Sequence, residues 1–236
     1  STDSSTQVTM VIQSGTGGTL GGTLTQPAVS GVATFSGVTL AGTVGQNYVL
    51  RFTSSPTLTL VDSQNVTITS GTATTIALNG GNSQSATVGT AVAIAPSVKV
   101  SDAQGNAVSG VSVTFATGTG SGSLASGTTV TTDSAGISSS PAWTLSTTAG
   151  ANTLTATSGS LSGSPITFSA TGTAGAATQL AITTQPVGGT SGSVLTSQPL
   201  VAIRDQYGNL VSTDSSTQVT MVIQSGTGGT LGGTLT

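Results

Sequence analysis

The sequence contains no cysteine, no histidine and no glutamate, and only 4% of its 236 residues are charged. Ordinary globular domains carry roughly 25% charged residues. Without Cys there are no disulfides, and without His and Cys the usual zinc sites and the Ser-His-Asp and Cys-His catalytic arrangements are excluded. Three basic residues and a pI near 4.1 argue against nucleic-acid binding, because phosphate recognition needs clustered Lys and Arg.

Long apolar runs are also missing. The richest apolar stretches, residues 8–13 and 90–96, are far shorter than the roughly 20 residues of a membrane-spanning helix. Yet 35% of the residues are hydrophobic and the net charge is only −3, whereas disordered chains combine low hydrophobicity with high net charge. We therefore expect a folded chain with no membrane insertion in this segment.

What remains is rich in Ser, Thr, Gly, Ala and Val, arranged in short alternating runs. Val8, Met10 and Ile12 alternate with other residues, and so do Val111, Val113 and Phe115, which is the pattern of half-buried strands. No window has a helical period, so the sequence predicts an all-β chain. A small sandwich core needs large side chains, and six aromatic residues are predicted to face inward: Phe35, Tyr48, Phe52, Phe115, Trp143 and Phe168.

The chain repeats itself on two scales. Residues 1–25 recur without change at 212–236, a shift of 211 residues. A weaker repeat lies within this period, since PSVKVSDAQGNAV (96–108) matches PLVAIRDQYGNLV (199–211). In both, apolar residues alternate up to an Asp that opens a turn, and a Gly can take the positive φ that the turn requires. The predicted turn residues are Asp102, Gly105, Asn106, Asp205, Gly208 and Asn209.

These repeats predict tandem immunoglobulin-like β-sandwich domains, one complete and two partial. Residues 71–175 form the complete domain. Residues 1–70 hold the later strands of a second type, and residues 176–236 hold the opening strands of its next copy. About 105 residues with seven or so short strands suit this fold. The overlap of 25 identical residues favours a window from a continuous array over subunits that complete one another's sandwiches by strand exchange.

The intact segment resembles a known family. VKVSDAQGNAVSGVSVTFATGTGSGSL, TVTTDSAGISSSPAWTLSTTAGANTLTATSG and SGSPITFSATG are similar to the bacterial immunoglobulin-like tandem repeats of the invasin and intimin type. ATQLAITTQP (177–186) and the DQYGN turn after it resemble a sister type found in very long bacterial surface proteins. The resemblance implies an extracellular or cell-surface location and a mainly spacing role.

From this we expect a structural segment of an extracellular fibre, stalk or adhesin, and not an enzyme. Its expected partners are adjacent copies of the same repeat, end to end, and the lack of charge predicts lateral contact between copies as well. The alternative is a carbohydrate-, receptor- or ice-binding surface module. No cofactor is expected, although the family resemblance makes calcium at the junctions a weak alternative, with Asp102 and Asp205 as its candidates. Tyr207, inside the DQYGN turn, is the candidate for an inter-domain or inter-chain contact.

Overall fold

The structure, a computed structural model, describes residues 3–233. In this range the chain forms nineteen β-strands and no helix, which confirms the all-β prediction. Accordingly, the described range holds no helix that could cross a membrane. The strands are β1 (Gln7–Ser14), β2 (Thr19–Gly21), β3 (Thr25–Pro27), β4 (Thr39–Ala41), β5 (Asn47–Ser55), β6 (Val61–Asp62), β7 (Val66–Thr67), β8 (Ala73–Gly80), β9 (Gln84–Thr87), β10 (Ser97–Asp102), β11 (Ser112–Thr117), β12 (Ser123–Leu124), β13 (Thr129–Thr131), β14 (Ile137–Ser139), β15 (Trp143–Thr144), β16 (Gly150–Thr157), β17 (Ile166–Thr173), β18 (Gln179–Thr184) and β19 (Leu200–Arg204).

Strands β8 to β17 build an immunoglobulin-like sandwich. One sheet has the order β14-β10-β8, and the other has the order β13-β11-β16-β17-β9. The first strand region is split between the two sheets, since β8 pairs with β10 whereas β9 lies parallel to β17. This is the arrangement expected when a sandwich packs a three-stranded sheet against a sheet of the C-F-G type.

The core of this sandwich comes from the inward positions of both sheets. On β16, Asn152, Leu154 and Ala156 are buried while the residues between them face outward. The fully buried aromatic side chains Phe115, Trp143 and Phe168 fill the space between the sheets. The indole Nε1 of Trp143 donates a hydrogen bond of 2.9 Å to the Ser121 carbonyl, so its one polar group is satisfied inside the core.

Residues 3–70 form a second sheet of the same type. Its order is β3-β1-β5-β6, with β7 pairing to the start of β5 and β2 pairing separately with β4. By the sequence repeat β1 corresponds to β11, and each is the strand between a short partner and the long antiparallel strand that follows. In the described residues, this segment has no counterpart of the β8–β10 sheet.

Residues 176–233 contain a single β-hairpin. Strands β18 and β19 pair antiparallel, as β8 and β10 do, but no second sheet covers them in the described residues. Val98 of β10 is fully buried, whereas its counterpart Val201 is 38% exposed; Ile76 of β8 is 3% exposed and its counterpart Leu180 is 58% exposed. The apolar side of this hairpin therefore lines a cavity of about 980 Å³ instead of a closed core.

The two identical segments differ in structure. Residues 7–14 form β1, which pairs with β3 and β5, whereas residues 218–225 form no strand. Met10 is buried whereas its copy Met221 is only half-buried, and Val11 is 41% exposed whereas its copy Val222 is 75% exposed. In the described residues the second copy meets no strands equivalent to β3 and β5, the partners of β1. Long-range pairing therefore decides whether this sequence becomes a strand.

The aromatic residues follow the prediction only in part. Tyr48, Phe115, Trp143 and Phe168 are buried. Phe35 and Phe52 are half-buried and pack against each other with ring centroids 5.7 Å apart. Both belong to residues 3–70, where no second sheet lies over the first in the described part of the chain, so these two rings are half-buried rather than enclosed in a core.

Replacing Leu154 with Ala tests this account of the core. The leucine is fully buried on β16, so we expect a loss of about 2–5 kcal/mol in the free energy of unfolding. The measurement is urea unfolding followed by fluorescence of Trp143, the one Trp of the chain, which reports on this sandwich alone. Thr157→Ala on the outward face of the same strand is the control and should cost less than about 1 kcal/mol. Equal losses for the two variants would contradict the assignment of the two faces.

Candidate functional site: the turns at the two joints

The candidate site is the pair of D-x-x-G-N turns where neighbouring segments meet. We call residues 68–72, between β7 and β8, the first joint, and residues 174–178, between β17 and β18, the second joint. The turn after β10 lies at the first joint and the turn after β19 lies at the second. All six predicted turn residues lie in these two turns.

In the turn after β10, the side chain of Asp102 accepts hydrogen bonds from backbone N–H groups that follow it and that have no backbone acceptor in the turn. Asp102 Oδ1 accepts hydrogen bonds from the N–H of Gln104 at 3.0 Å and of Asn106 at 2.8 Å. The Gly105 N–H donates to the Asp102 carbonyl, and Gly105 has φ +83°, a region that favours glycine. The sequence D-x-x-G-N thus specifies this turn locally.

The turn after β19 repeats this geometry. Asp205 Oδ1 accepts the N–H of Tyr207 and of Asn209, each at 2.9 Å. Gly208 has φ +85°. The guanidinium of Arg204 also contributes, since its Nη1 donates to the Gly208 carbonyl while its Nε is buried without a hydrogen-bond partner. The Arg204 side chain is partly buried against the turn.

The second carboxylate oxygen of each Asp binds the linker that enters the segment. Asp102 Oδ2 accepts the Gly71 N–H at 2.8 Å, and Asp205 Oδ2 accepts the Gly175 N–H at 2.9 Å. Asp133 provides a comparison inside the chain, because its Oδ1 accepts two local N–H groups but its side chain is exposed and no linker bond is recorded for it. The D-x-x-G-N turns are therefore linker anchors as well as turns.

These hydrogen bonds favour the ionised carboxylates. The Gly71 N–H, followed by the donors of Asn106, lowers the pKa of Asp102 in spite of its burial. Burial acts to raise the pKa of Asp205, which is fully buried, but hydrogen bonds from the Asn209 side chain and the Gly175 N–H outweigh it and lower that pKa to about 2. Both groups are thus anions at neutral pH, held by N–H donors rather than by cations.

The turn at the second joint also bonds to the preceding sandwich. Asn209 Oδ1 accepts the Ala149 N–H at 2.8 Å, and Asn209 Nδ2 donates to the Thr147 carbonyl at 2.8 Å. Tyr207 lies over Gly89, where a Cβ atom would come within 2.8 Å of the tyrosine hydroxyl oxygen. The predicted contact of Tyr207 is thus placed against a neighbouring segment of the same chain.

The first joint is more open. Gln104 and Asn106 occupy the places of Tyr207 and Asn209, and they line a crevice of about 540 Å³ together with residues of the first segment such as Thr39, Gly42 and Ile68. The Asn106 side chain donates to Asp102 Oδ2 at 3.2 Å. Among the described residues, no hydrogen bond joins Asn106 or Gln104 to residues 3–70.

Calcium at Asp102 and Asp205 stays a prediction that the geometry does not favour. Calcium takes six to eight oxygen ligands, usually with several carboxylates. Here each carboxylate already accepts hydrogen bonds from four donor nitrogens. Within residues 3–233 no three acidic, His or Cys side chains come together as a metal-binding group.

The sequence predicted the turns but not their hydrogen bonds to the linker residues Gly71 and Gly175. It also did not predict the hydrogen-bond partners of the Asn209 side chain. The sequence did contain a signal for the linker glycines, because the spacing between glycine and Asp is nearly the same in both repeats. Gly71 precedes Asp102 by 31 residues, and Gly175 precedes Asp205 by 30. Nothing in the sequence pointed to Thr147 and Ala149, because they belong to a loop of another segment and meet Asn209 only through the tertiary fold.

A second surface lies on the five-stranded sheet of the sandwich. Its outward side, which we call the hydroxyl face, carries no charged residue, and cross-strand neighbours such as Thr114 and Thr129 place their Oγ1 atoms 3.1 Å apart. The face consists of thirteen Ser and Thr residues and two Ala residues: Ser85, Thr87, Ser112, Thr114, Ala116, Thr129, Thr131, Ala151, Thr153, Thr155, Thr157, Thr167, Ser169, Thr171 and Thr173.

The chain is similar to solved structures of bacterial proteins. No family model matches the chain, and no curated protein matches it. Among solved structures, the chain is similar to the D0-D1 domain of intimin, with 26% identity, 72% of this chain and 80% of that chain covered, and a TM-score of 0.30. It is also similar to Yersinia pseudotuberculosis InvD, with 19% identity, 86% of this chain and 61% of that chain covered, and a TM-score of 0.43. The chain spans less than two thirds of the InvD structure, and both TM-scores are too low for a functional conclusion.

Replacing Asp102 with Ala tests the linker anchor. The variant loses the turn bonds and leaves the Gly71 N–H without its acceptor, so we expect the midpoint of thermal unfolding to fall by at least about 4 °C. Asp133→Ala is the matched control, since it removes a similar local turn without a linker bond, and it should shift the midpoint less. Equal shifts would show that the linker bond to Asp102 contributes nothing to stability.

Proposed function

We propose that the chain is a structural segment of an extracellular fibre, stalk or adhesin, built from tandem immunoglobulin-like domains with a period of 211 residues. Its partners are adjacent copies of the same repeat, end to end. In this role the chain is a spacer and performs no catalysis. Extracellular or cell-surface location is part of the proposal.

The observation that carries the proposal is the hydrogen bonding across the second joint. Asn209 bonds through both side-chain atoms to the loop at Thr147 and Ala149, and Asp205 holds the linker at Gly175. At this joint the two neighbouring segments are therefore held by a short linker and by a turn that bonds to the segment before it. Nearest-neighbour contact of this kind is how tandem repeats build extended structures.

The open faces of the two end segments support the same role. The β18–β19 hairpin exposes positions that are buried in the sandwich, and residues 3–70 contain a sheet of the type that covers those positions there. Both belong to one domain type by the sequence repeat. In a tandem array these two parts come next to each other once per period and can close one core.

The nearly uncharged surface suits a spacer outside a cell. The one salt bridge among the described residues is the bidentate pair of Arg51 and Asp62, at 2.7 Å and 2.8 Å, and it is exposed. Exposed ion pairs contribute little and weaken with salt. The sandwich instead depends on buried apolar side chains and backbone pairing, which salt affects less. The same lack of charge leaves the hydroxyl face without like-charge repulsion, so lateral contact between copies is part of the proposal.

The hydroxyl face also favours one alternative, a surface that binds carbohydrate, a receptor or ice. A flat array of threonines would match a regular ligand, whereas sheets of sandwiches twist by roughly 20–25° per strand. Twist spreads the hydroxyl groups out of one plane, so spacing is the better supported role. Specific retention of the chain on ice or on a glycan array, lost when Thr155 and Thr167 are replaced by Lys, would favour the alternative.

Electron microscopy of the native material tests the spacer role. Strands of eight residues at about 3.3 Å per residue, with turns at both ends, give a domain of roughly 35–45 Å, and two domains give an axial repeat of about 70–90 Å. We expect thin rods with this repeat. Isolated globules in the native material would contradict the proposal and favour the alternative, in which the hydroxyl face is a binding surface.

A further inference from the structure

The two joints are built on the same turn but are not equally tied. We infer that the second joint is stiff and the first is a hinge, so that an array of these repeats alternates rigid and bending connections. The proposed function is needed only to extend the inference to an array. Within one chain the difference stands on the contacts of residues 68–72 and 174–178 alone.

Three residues of the turn after β19 make contacts at the second joint. Asp205 holds the Gly175 N–H, Asn209 bonds to the backbone of the preceding sandwich at both side-chain atoms, and Tyr207 lies against Gly89. The Gly175 bond is the equivalent of the Gly71 bond at the first joint, whereas the contacts of Asn209 and Tyr207 cross the joint to the preceding sandwich. Rotation of β18–β19 about the joint would break at least one of them, so one orientation is favoured.

At the first joint, each side of the linker is held, but only to its own segment. Ile68 exchanges backbone hydrogen bonds with residues 45 and 46 of the first segment, and the Gly71 N–H binds Asp102 of the sandwich. Between these two anchors, Thr69 and Ser70 have no recorded hydrogen bond in the described part of the chain. A hinge needs only a few residues that can change φ and ψ, and these two provide it.

The crevice beside this linker leaves room for the movement. It lies between the β4 region of the first segment and the Gln104 and Asn106 side chains, and its volume of about 540 Å³ exceeds that of many water molecules. Gln104 stands where Tyr207 fills the equivalent space at the second joint. Two features therefore distinguish the closed second joint from the open first joint. Tyr207 stands in place of Gln104, and the Asn209 side chain bonds across its joint whereas that of Asn106 does not in the described range.

The difference can be measured by distances between spin labels in the full chain. Because the chain has no cysteine, introduced pairs are labelled specifically. Thr131→Cys with Thr183→Cys spans the second joint, and Thr25→Cys with Thr131→Cys spans the first. Double electron–electron resonance should give a narrow distance distribution for the 131–183 pair, across the second joint. The 25–131 pair, across the first joint, should give a distribution at least about twice as wide. Equal widths would overturn the inference.

Matched substitutions then assign the cause. Asn209→Ala and Asn106→Ala each remove a side-chain bond to the Asp of their own turn, but only Asn209 bonds across a joint. Asn209→Ala combined with Tyr207→Gln should broaden the 131–183 distribution, whereas Asn106→Ala should leave the 25–131 distribution unchanged. Unchanged fluorescence of Trp143 confirms that the sandwich is still folded in each variant.

A 131–183 distribution that stays narrow in the double variant would contradict the assignment of stiffness to Asn209 and Tyr207. Failure of the spacer role would look different. Native material without rods would count against the fibre and leave the label distances within one chain unaffected, because these distances depend on the two joints and on no second copy.

Discussion

The structure depends on a carboxylate that is shared between a turn and a linker. Asp102 closes the turn after β10 with one oxygen and holds the start of the sandwich at Gly71 with the other, and Asp205 does the same at Gly175. Each bond fixes where β8 or β18 begins relative to its partner strand. The start of the first hairpin of each segment follows from this contact.

The ionised state of the Asp is part of this constraint. The pKa of Asp205 is lowered from 3.8 to about 2, so the contribution of its carboxylate to stability is complete above about pH 4 and disappears as the pH falls from 4 to 2. Above this window the Asp205 carboxylate stays ionised and keeps its N–H partners. A nearly uncharged chain thus uses buried Asp residues where neutral residues would leave several N–H groups unpaired.

Local patterns predicted what local chemistry decides. Strand alternation around Val113 and Phe115 predicted β11, and the D-x-x-G-N sequence predicted a turn whose Asp and Gly have the expected roles. The Asp that opens each identical segment behaves the same way in both copies, since Asp3 and Asp214 each accept the N–H groups two and three residues later. Contacts of this range do not need the rest of the fold.

What the sequence could not predict depends on distant partners. Residues 7–14 and 218–225 have one sequence and two structures, because only the first copy meets β3 and β5. The half-burial of Phe35 and Phe52 and the bonds of Asn209 to Thr147 and Ala149 also arise from segments that meet only after folding. The same dependence explains why a turn repeated twice gives one closed joint and one open joint.

The central claim is that buried Asp carboxylates hold the linkers, and the most direct test is a pH titration of the Gly175 amide by NMR. The account predicts a strongly shifted amide proton whose resonance moves with a midpoint near pH 2, in step with the amides of Tyr207 and Asn209. A midpoint near 3.8, the ordinary value for Asp, or an amide resonance that does not respond to pH, would show that Asp205 does not hold the joint.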